Sequence, residues 1–265
     1  MKLLVRHETV YHLNQSARRS CQYLRLTPRR ESCQRVVRWR VNAPGKMVEW
    51  RDGYGNGVHA VSRDGQHDEI CIRIEGVVET RDTMGILSLS DGLPPALFTR
   101  NTALTAPDSA LKDFAASFAE KADRDTISTL HELMRAVGDA VSYLPGVTDV
   151  SCSAAEALAH GRGVCQDHAH VFITLSRLLG IPCRYVSGYL YEGTGAGASH
   201  AWAEAHVDGL GWVSFDPANQ QSATAGYIRL AVGLDYVDAA PIIGLRTGGE
   251  KETMAVSLQV EQHQA

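Results

Sequence analysis

The sequence predicts an α+β chain in which an antiparallel sheet comes first and helices with further strands follow. Apolar and polar residues alternate over residues 1–80, apolar residues recur at helical spacing between about residues 107 and 180, and alternation returns after residue 183. Alternation of this kind is typical of antiparallel sheets with one solvated face. We therefore expect a small β-rich domain over residues 1–90 and a second, mixed domain over residues 91–265.

Alternating segments separated by turns make up the first domain. They cover residues 3–13, 21–28, 36–41 and 70–78. Residues 52–57 include three glycines and predict a turn between two strands. A linker is predicted from Asp91 to the adjacent prolines Pro94 and Pro95.

Helices are predicted from their first residues. Asp108 and Asp125 each precede apolar residues at helical spacing. Ser153 and Glu156 have the Ser-x-x-Glu spacing of a capping box, and a further helix begins at Cys165. Strands are then predicted over residues 183–191, 201–207, 212–216 and 254–261.

Composition is that of an ordinary soluble globular protein. The chain has 265 residues, of which 44% are hydrophobic and 21% charged. No apolar run approaches the ~20 residues that cross a bilayer, and Lys2 and Arg6 interrupt the N-terminus too early for a signal-peptide core. We expect a cytoplasmic protein with no membrane partner. The six cysteines show no Cys-x-x-Cys spacing and require neither disulfides nor a structural zinc.

Charge is distributed unevenly along the chain. Residues 1–50 hold 11 Lys and Arg against 3 Asp and Glu, a net charge of +8, while the remainder holds 15 against 27, a net charge of −12. A basic segment can bind nucleic acid or an anionic surface. No recognition motif accompanies these arginines, so polar strand faces in solvent or against the acidic half explain them better. We expect no nucleic-acid partner.

A glycine-rich turn delivers one cysteine to the start of a predicted helix. Gly161 and Gly163 precede Cys165, and an apolar run over residues 171–179 follows. The unpaired N–H groups and partial positive charge of a helix N-terminus favour a thiolate. Most free cysteines are merely small buried hydrophobes, but this setting favours a nucleophile.

A base and an orienting carboxylate are available downstream. His200 can take the thiol proton and return it to the leaving group. Asp216 can hold the imidazole in its tautomer, as in a catalytic triad, although an Asp before Pro217 also suits a turn. Cysteine, histidine and aspartate in this order are typical of a cysteine hydrolase or acyltransferase.

These residues lie in sequence blocks that resemble the bacterial transglutaminase-like family, which is related to papain-like cysteine proteases. The blocks cover residues 161–167, 180–189, 199–204 and 211–217. The strand pattern of roughly the first 50 residues is similar to the β domain that precedes the core in such proteins. The resemblance implies a papain-like core with Cys165, His200 and Asp216 as its triad.

Further residues are expected to support this site. Trp202 can pack beneath it, and the Tyr143 hydroxyl can join the Cys165 N–H in binding an oxyanion. Asp167 suits the first turn of the helix as a cap. His168 replaces the aromatic residue usual in the family, and His170 is expected to make a structural contact.

No metal or cofactor is expected. Cys-x-x-His-x-His offers ligand types suited to zinc, but positions 168 and 170 point to different sides of a helix. Calcium, which some transglutaminases use, would need a loop of alternating Asp and Asn that this sequence lacks.

The expected activity is attack of Cys165 on a carboxamide or peptide carbonyl, which gives a thioester. Water then makes the protein a protease or amidase, whereas an amine makes it a cross-linking transglutaminase. We favour hydrolysis, because water is the default acceptor and no dedicated amine-binding carboxylate cluster is evident. The alternative from another class is a peptide-binding module without turnover. The expected partner is a protein or peptide substrate, and the sequence leaves the oligomeric state open.

Overall fold

The computed structural model describes residues 1–87, 92–193 and 197–263. Within these ranges the strands are β1 (Lys2–Leu24), β2 (Gln34–Asn42), β3 (Lys46–Arg51), β4 (Gly57–Thr80), β5 (Ser142–Tyr143), β6 (Arg162–Gly163), β7 (Cys183–Tyr191), β8 (Gly197–Val207), β9 (Gly211–Phe215), β10 (Tyr227–Gly233), β11 (Ile242–Gly248) and β12 (Glu252–Gln262). The helices are α1 (Ser109–Ala116), α2 (Ala119–Arg124), α3 (Thr126–Ala140), α4 (Ala154–His160), α5 (Cys165–Leu178) and α6 (Tyr236–Ala239), and a 3-10 helix covers Pro95–Thr99.

Two antiparallel sheets organise the chain. The first has the order β11-β1-β4-β2, with β12 also pairing with β1 and β3 also pairing with β4. The second has the order β10-β7-β8-β9. Short strands β5 and β6 form a separate parallel pair beside the start of α5. The α+β class and the antiparallel first sheet predicted from the sequence are confirmed.

The long hairpin of β1 and β4 forms the spine of the first sheet. The sequence predicts two strands within residues 3–28, but β1 runs without a break from Lys2 to Leu24. Its pairing with β4 shifts register on both sides of Ala17. Such irregularities interrupt the period-two pattern, which explains why one strand resembles two in the sequence.

The end of the chain returns to the first sheet. The predicted final strand exists as β12, and β11 precedes it, but both pair with β1. The predicted division at residue 90 assigns these strands to the second domain, whereas their hydrogen bonds place 242–262 in the first sheet. Alternation reveals that a segment is a strand but not which distant strand it pairs with. Asp91 and the division itself lie outside the described residues.

Local signals predict the helix starts correctly. Asp108 accepts a hydrogen bond from the Leu111 N–H and Asp125 from the Ser128 N–H, so both act as N-caps. Ser153 and Glu156 form the predicted capping box. The sequence analysis missed α2, a short helix between two stronger ones, and β10, whose seven residues are all buried and therefore do not alternate.

Strand β8 presents its two faces to different parts of the core. Ala201, Ala203 and Ala205 contribute to the cluster that contains the apolar face of α5. Trp202 lies in another cluster, on the alternate face. The small alanine side chains let α5 pack closely against β8. The start of α5, at Cys165, therefore lies near the first half of β8, which contains His200.

None of the helices in the described ranges is long and apolar enough to cross a membrane.

Candidate active site

Cys165 is the first residue of α5, as predicted. The Asp167 carboxylate accepts hydrogen bonds from the Val164 N–H at 2.7 Å and the Thr148 hydroxyl at 2.7 Å, so it caps the helix. A side chain at Gly163 would place its Cβ 2.5 Å from Asp167 Oδ2, which only glycine avoids. The glycine-rich approach therefore lets the chain close tightly over the cap and fixes where Cys165 begins.

The loop that follows Tyr143 is tied to the same turn. The Leu144 N–H donates to the Gly163 carbonyl at 2.8 Å, and Gln166 Nε2 donates to the Val150 carbonyl at 3.1 Å. Tyr143 is 55% exposed at the start of this loop. Burial, and then the charge of nearby Cys165, raise the pKa of Tyr143. Its hydroxyl therefore keeps its proton at neutral pH and can donate a hydrogen bond.

His200 lies on β8 above a buried tryptophan. The ring of Trp202 stacks near that of His200, with centroids 6.1 Å apart and planes inclined by 24°. Gly188 lies opposite His200 on β7, and a Cβ there would be 2.5 Å from Trp202 Cη2. Trp202 therefore packs against the ring of His200, and the absence of a side chain at Gly188 leaves room for its indole.

Cys165, His200 and Asp216 form one interacting series. His200 Nε2 donates to Asp216 Oδ2 at 2.6 Å, and Cys165 is close enough to His200 to influence its pKa. Because Nε2 faces the carboxylate, Nδ1 is the ring nitrogen left for the sulfur. Asp216 is fully buried and His200 is 8% exposed, so water screens this series little.

Two residues that the sequence analysis missed complete the surroundings of Asp216. The Tyr227 hydroxyl donates to Asp216 Oδ2 at 2.7 Å, and Asn219 Nδ2 donates to the same oxygen at 2.8 Å. Asn219 follows Asp216 by three residues, a spacing that turn chemistry could have indicated. Tyr227 belongs to β10, and no local signal connects it with Asp216.

Electrostatics favour charged partners in this series. Burial lowers the pKa of His200, but the hydrogen bonds and charges of Asp216 and Cys165 outweigh burial and raise it to about 10. Burial raises the pKa of Asp216, yet the hydrogen bond and charge of His200 hold it below its usual range. An imidazolium at His200 beside an ionised Asp216 is therefore the stable state at neutral pH.

The neighbouring histidines are engaged with backbone groups. His168 Nδ1 lies 2.8 Å from the Val164 carbonyl and Nε2 lies 2.6 Å from the Val141 carbonyl. His170 Nε2 accepts from the Tyr236 N–H at 3.2 Å, and burial lowers the pKa of His170 to about 4. Within the described part of the chain, no group of three or more His, Cys, Asp or Glu is arranged to hold a metal ion.

Several other thiols differ from Cys165 in environment. Burial raises the pKa of Cys33 and Cys71 above the usual value, and it raises the pKa of Cys152 and Cys183 to about 12. These four cysteines are therefore expected to react slowly near neutral pH.

Comparison with known proteins places these elements in a family context. The family model described as the transglutaminase-like superfamily matches residues 112–217, and the bacterial transglutaminase-like N-terminal region matches residues 3–79. An uncharacterized protein of Mycobacterium leprae is 32% identical over 98% of both chains. An uncharacterized protein of Mycobacterium tuberculosis is 31% identical over 97% of this chain and 91% of its own.

A solved structure has a similar fold. The crystal structure of a protein from Cytophaga hutchinsonii named "Putative Cysteine Protease" superposes with a TM-score of 0.80 at 21% sequence identity, covering 100% of this chain and 92% of that one. At this identity the likeness shows the shared fold alone.

Proposed function

Since the chain belongs to the transglutaminase-like superfamily, we propose that it is a cysteine enzyme that hydrolyses peptide or carboxamide bonds through a thioester on Cys165. The observation that carries this proposal is the series from Cys165 through His200 to Asp216 at the start of α5. A thiolate at a helix N-terminus, beside a buried imidazolium, is the form that attacks carbonyl carbon.

Acylation begins when the Cys165 thiolate attacks the carbonyl carbon. The new C–S bond forms as the carbonyl electron pair moves onto oxygen, and collapse of this intermediate breaks the C–N bond. The departing nitrogen takes the proton from His200 and leaves as an amine. The Cys165 N–H has no acceptor within its own helix and the Tyr143 hydroxyl retains its proton, so both are proposed as donors to the oxyanion.

Deacylation uses the same histidine in reverse. His200 takes a proton from water, the hydroxyl oxygen attacks the thioester carbon, and the C–S bond breaks to give a carboxylic acid and free Cys165. Asp216 maintains the orientation of the ring throughout, and Trp202 packs beneath it.

Membership of the superfamily favours a second candidate function, acyl transfer, in which an amine attacks the thioester in place of water and an amide forms instead of a carboxylic acid.

The first test is the pH dependence of Cys165 alkylation by iodoacetamide, read by peptide mass spectrometry. The proposal expects selective labelling of Cys165 below pH ~7, where an ordinary thiol is almost wholly protonated. His200→Ala should remove this selectivity. His206→Ala is the matched control, because His206 lies on the same strand outside the series.

The outcomes separate the candidate functions. Labelling of Cys165 no faster than that of the other cysteines would overturn the proposal in favour of a peptide-binding module. Given a reactive thiol, peptide libraries rich in glutamine and asparagine, incubated with and without a primary amine, distinguish the chemistry. Carboxylic acid products support hydrolysis, whereas incorporation of the amine supports transfer.

A further inference from the structure

Arginine side chains surround two adjoining cavities on the first sheet. One cavity has a volume of about 780 Å³ and the other about 580 Å³, and they share Arg29, Arg30, Val36 and Arg51 in their walls. Because they share these walls, the two cavities are adjacent, and we call them together the arginine groove. Its charged lining residues are Arg29, Arg30, Glu31, Arg35, Arg38, Glu49, Arg51, Glu79 and Arg81.

The groove has an excess of positive charge. Six arginines face three glutamates, a net charge of +3. Within the ranges the structure describes, no ion pair involves Arg30, Arg51 or Arg81, and all three are exposed. A guanidinium group presents a planar fork of N–H donors that matches a carboxylate with two parallel hydrogen bonds. Arg51 Nη1 donates to the Gly55 carbonyl at 2.9 Å and its other N–H groups have no carboxylate partner among the described residues, so all three arginines can donate to an anionic ligand.

The groove is anchored to the second sheet, whose strand β8 carries His200. Arg29 Nε donates to Glu31 Oε1 at 2.8 Å, and Arg229 Nη1 lies 3.1 Å from the same oxygen. Arg229 Nε then donates to Glu204 Oε1 at 2.6 Å, where Glu204 is fully buried. Glu204 follows His200 on β8 by four residues. This chain of charges ties the groove to the strand that carries His200.

We propose that the arginine groove binds an acidic segment of the protein substrate, rich in Asp and Glu, away from the bond that Cys165 attacks. That the bound segment belongs to a substrate rests on the proposed function, whereas binding of an acidic peptide to the groove does not. Two adjacent cavities of about 780 and 580 Å³ have room for several side chains of an extended peptide, whereas one small anion would fill little of either. A substrate held at this second site gains effective concentration at the thiol.

Binding can be tested without catalysis. Fluorescence anisotropy with a labelled hexaglutamate peptide, using Cys165→Ala protein, measures affinity in the absence of turnover. We expect hexaglutamate to bind, hexaglutamine not to bind, and affinity to fall as salt is raised. The triple variant Arg30→Ala, Arg51→Ala, Arg81→Ala should bind at least tenfold more weakly, which corresponds to about 1.4 kcal/mol.

A matched control distinguishes the loss of the groove arginines from a general loss of positive charge. The variant Arg18→Ala, Arg100→Ala, Lys112→Ala removes three exposed cations elsewhere, and it should keep wild-type affinity. Equal loss in both triple variants, or equal binding of hexaglutamate and hexaglutamine, would overturn the proposal. A single-stranded hexanucleotide that binds more tightly than hexaglutamate would reassign the groove to nucleic acid. If Cys165 is reactive but the groove binds no peptide, the proposed binding site is refuted and the proposed function still stands.

Discussion

The Tyr227 hydroxyl is one of the donors that fix the Asp216 carboxylate, with an O···O distance of 2.7 Å. Tyr227→Phe removes this donor but keeps the ring that packs against Trp202. We expect kcat/KM to fall by about ten- to a hundredfold, since a lost hydrogen bond to a charged group is worth about 1.5–3 kcal/mol. The pKa of Asp216 should rise without this donor, so the acid limb of the pH profile should move to higher pH.

Tyr236→Phe serves as the control for this change, because Tyr236 packs near Tyr185 and not against the carboxylate. Its pH profile should match that of the wild type. If both variants lose activity equally with unshifted profiles, Tyr227 has only a packing role.

His200 makes the free energy of unfolding depend on pH in the alkaline range. Its pKa is about 10 in the folded protein against an ordinary value of 6.5. A raised folded-state pKa contributes stability that is fully present below the unfolded value and is lost as pH rises through the folded value. The difference in free energy of unfolding between wild type and His200→Gln should therefore be largest below pH 6.5 and shrink toward pH 10. Urea denaturation at several pH values measures it, and a constant difference would contradict the assigned ion pair.

Sequence patterns single out Cys165, His200 and Asp216 as candidates but do not indicate all the residues around them. Cys165 and His200 each have a recognisable local signal in the sequence. Cys165 follows a glycine-rich turn at the start of a helix, and His200 lies in a sequence block shared with the family. Asn219 lies three residues after Asp216, and turn chemistry could have indicated it. Tyr227 reaches the carboxylate only because β10 pairs with β7, and the sequence carries no local signal for that pairing.

Gly188 shows how one strand position supports the site on its neighbour. A Cβ at this position would lie 2.1 Å from the Ile228 carbonyl oxygen and 2.5 Å from Trp202 Cη2. Gly188→Ala should therefore destabilise the fold by about 1–3 kcal/mol through overpacking and displace Trp202 from beneath His200. Urea unfolding and near-UV circular dichroism measure these two effects.

Gly53→Ala is the appropriate comparison, because no atom lies within 4 Å of a Cβ built at Gly53. This variant should retain wild-type stability and spectrum. A Gly188→Ala protein as stable as Gly53→Ala would show that β7 and β8 can separate without cost, and that Trp202 is held by other contacts.

The elements that the sequence predicts well are those with local start signals. Asp108, Asp125 and Ser153 each cap a helix where expected. Strands β11 and β12 differ, since their place on β1 joins the last residues to the first. Buried Val260 on β12 packs in one cluster with Leu3 of β1 and Ile228 of β10. The two sheets thus share apolar core, which a division of the sequence into consecutive domains does not foresee.

A buried chain of charges also joins the two sheets. Glu31 bridges Arg29 and Arg229, and Arg229 in turn contacts Glu204. Burial raises the pKa of Glu31, but the charges of Arg229 and Arg29 outweigh burial and hold it below its usual value. The carboxylate is therefore ionised at neutral pH and compensates two buried guanidinium groups.

Glu31→Gln keeps the size of the side chain and removes its charge. We expect a loss of about 1.5–3 kcal/mol at neutral pH, the value of a hydrogen bond to a charged group, because Arg29 and Arg229 lose a shared carboxylate while Arg229 keeps Glu204. Because the folded-state pKa of Glu31 is lowered, its contribution is present above the unfolded value of 4.5 and is lost as pH falls through the folded value. The difference in free energy of unfolding between wild type and Glu31→Gln, measured by urea denaturation, should therefore narrow in acid.

Glu75→Gln is the control, because Glu75 is on an exposed position of β4. It should change the free energy of unfolding little at any pH. Equal losses in the two variants would mean that apolar packing alone joins the sheets.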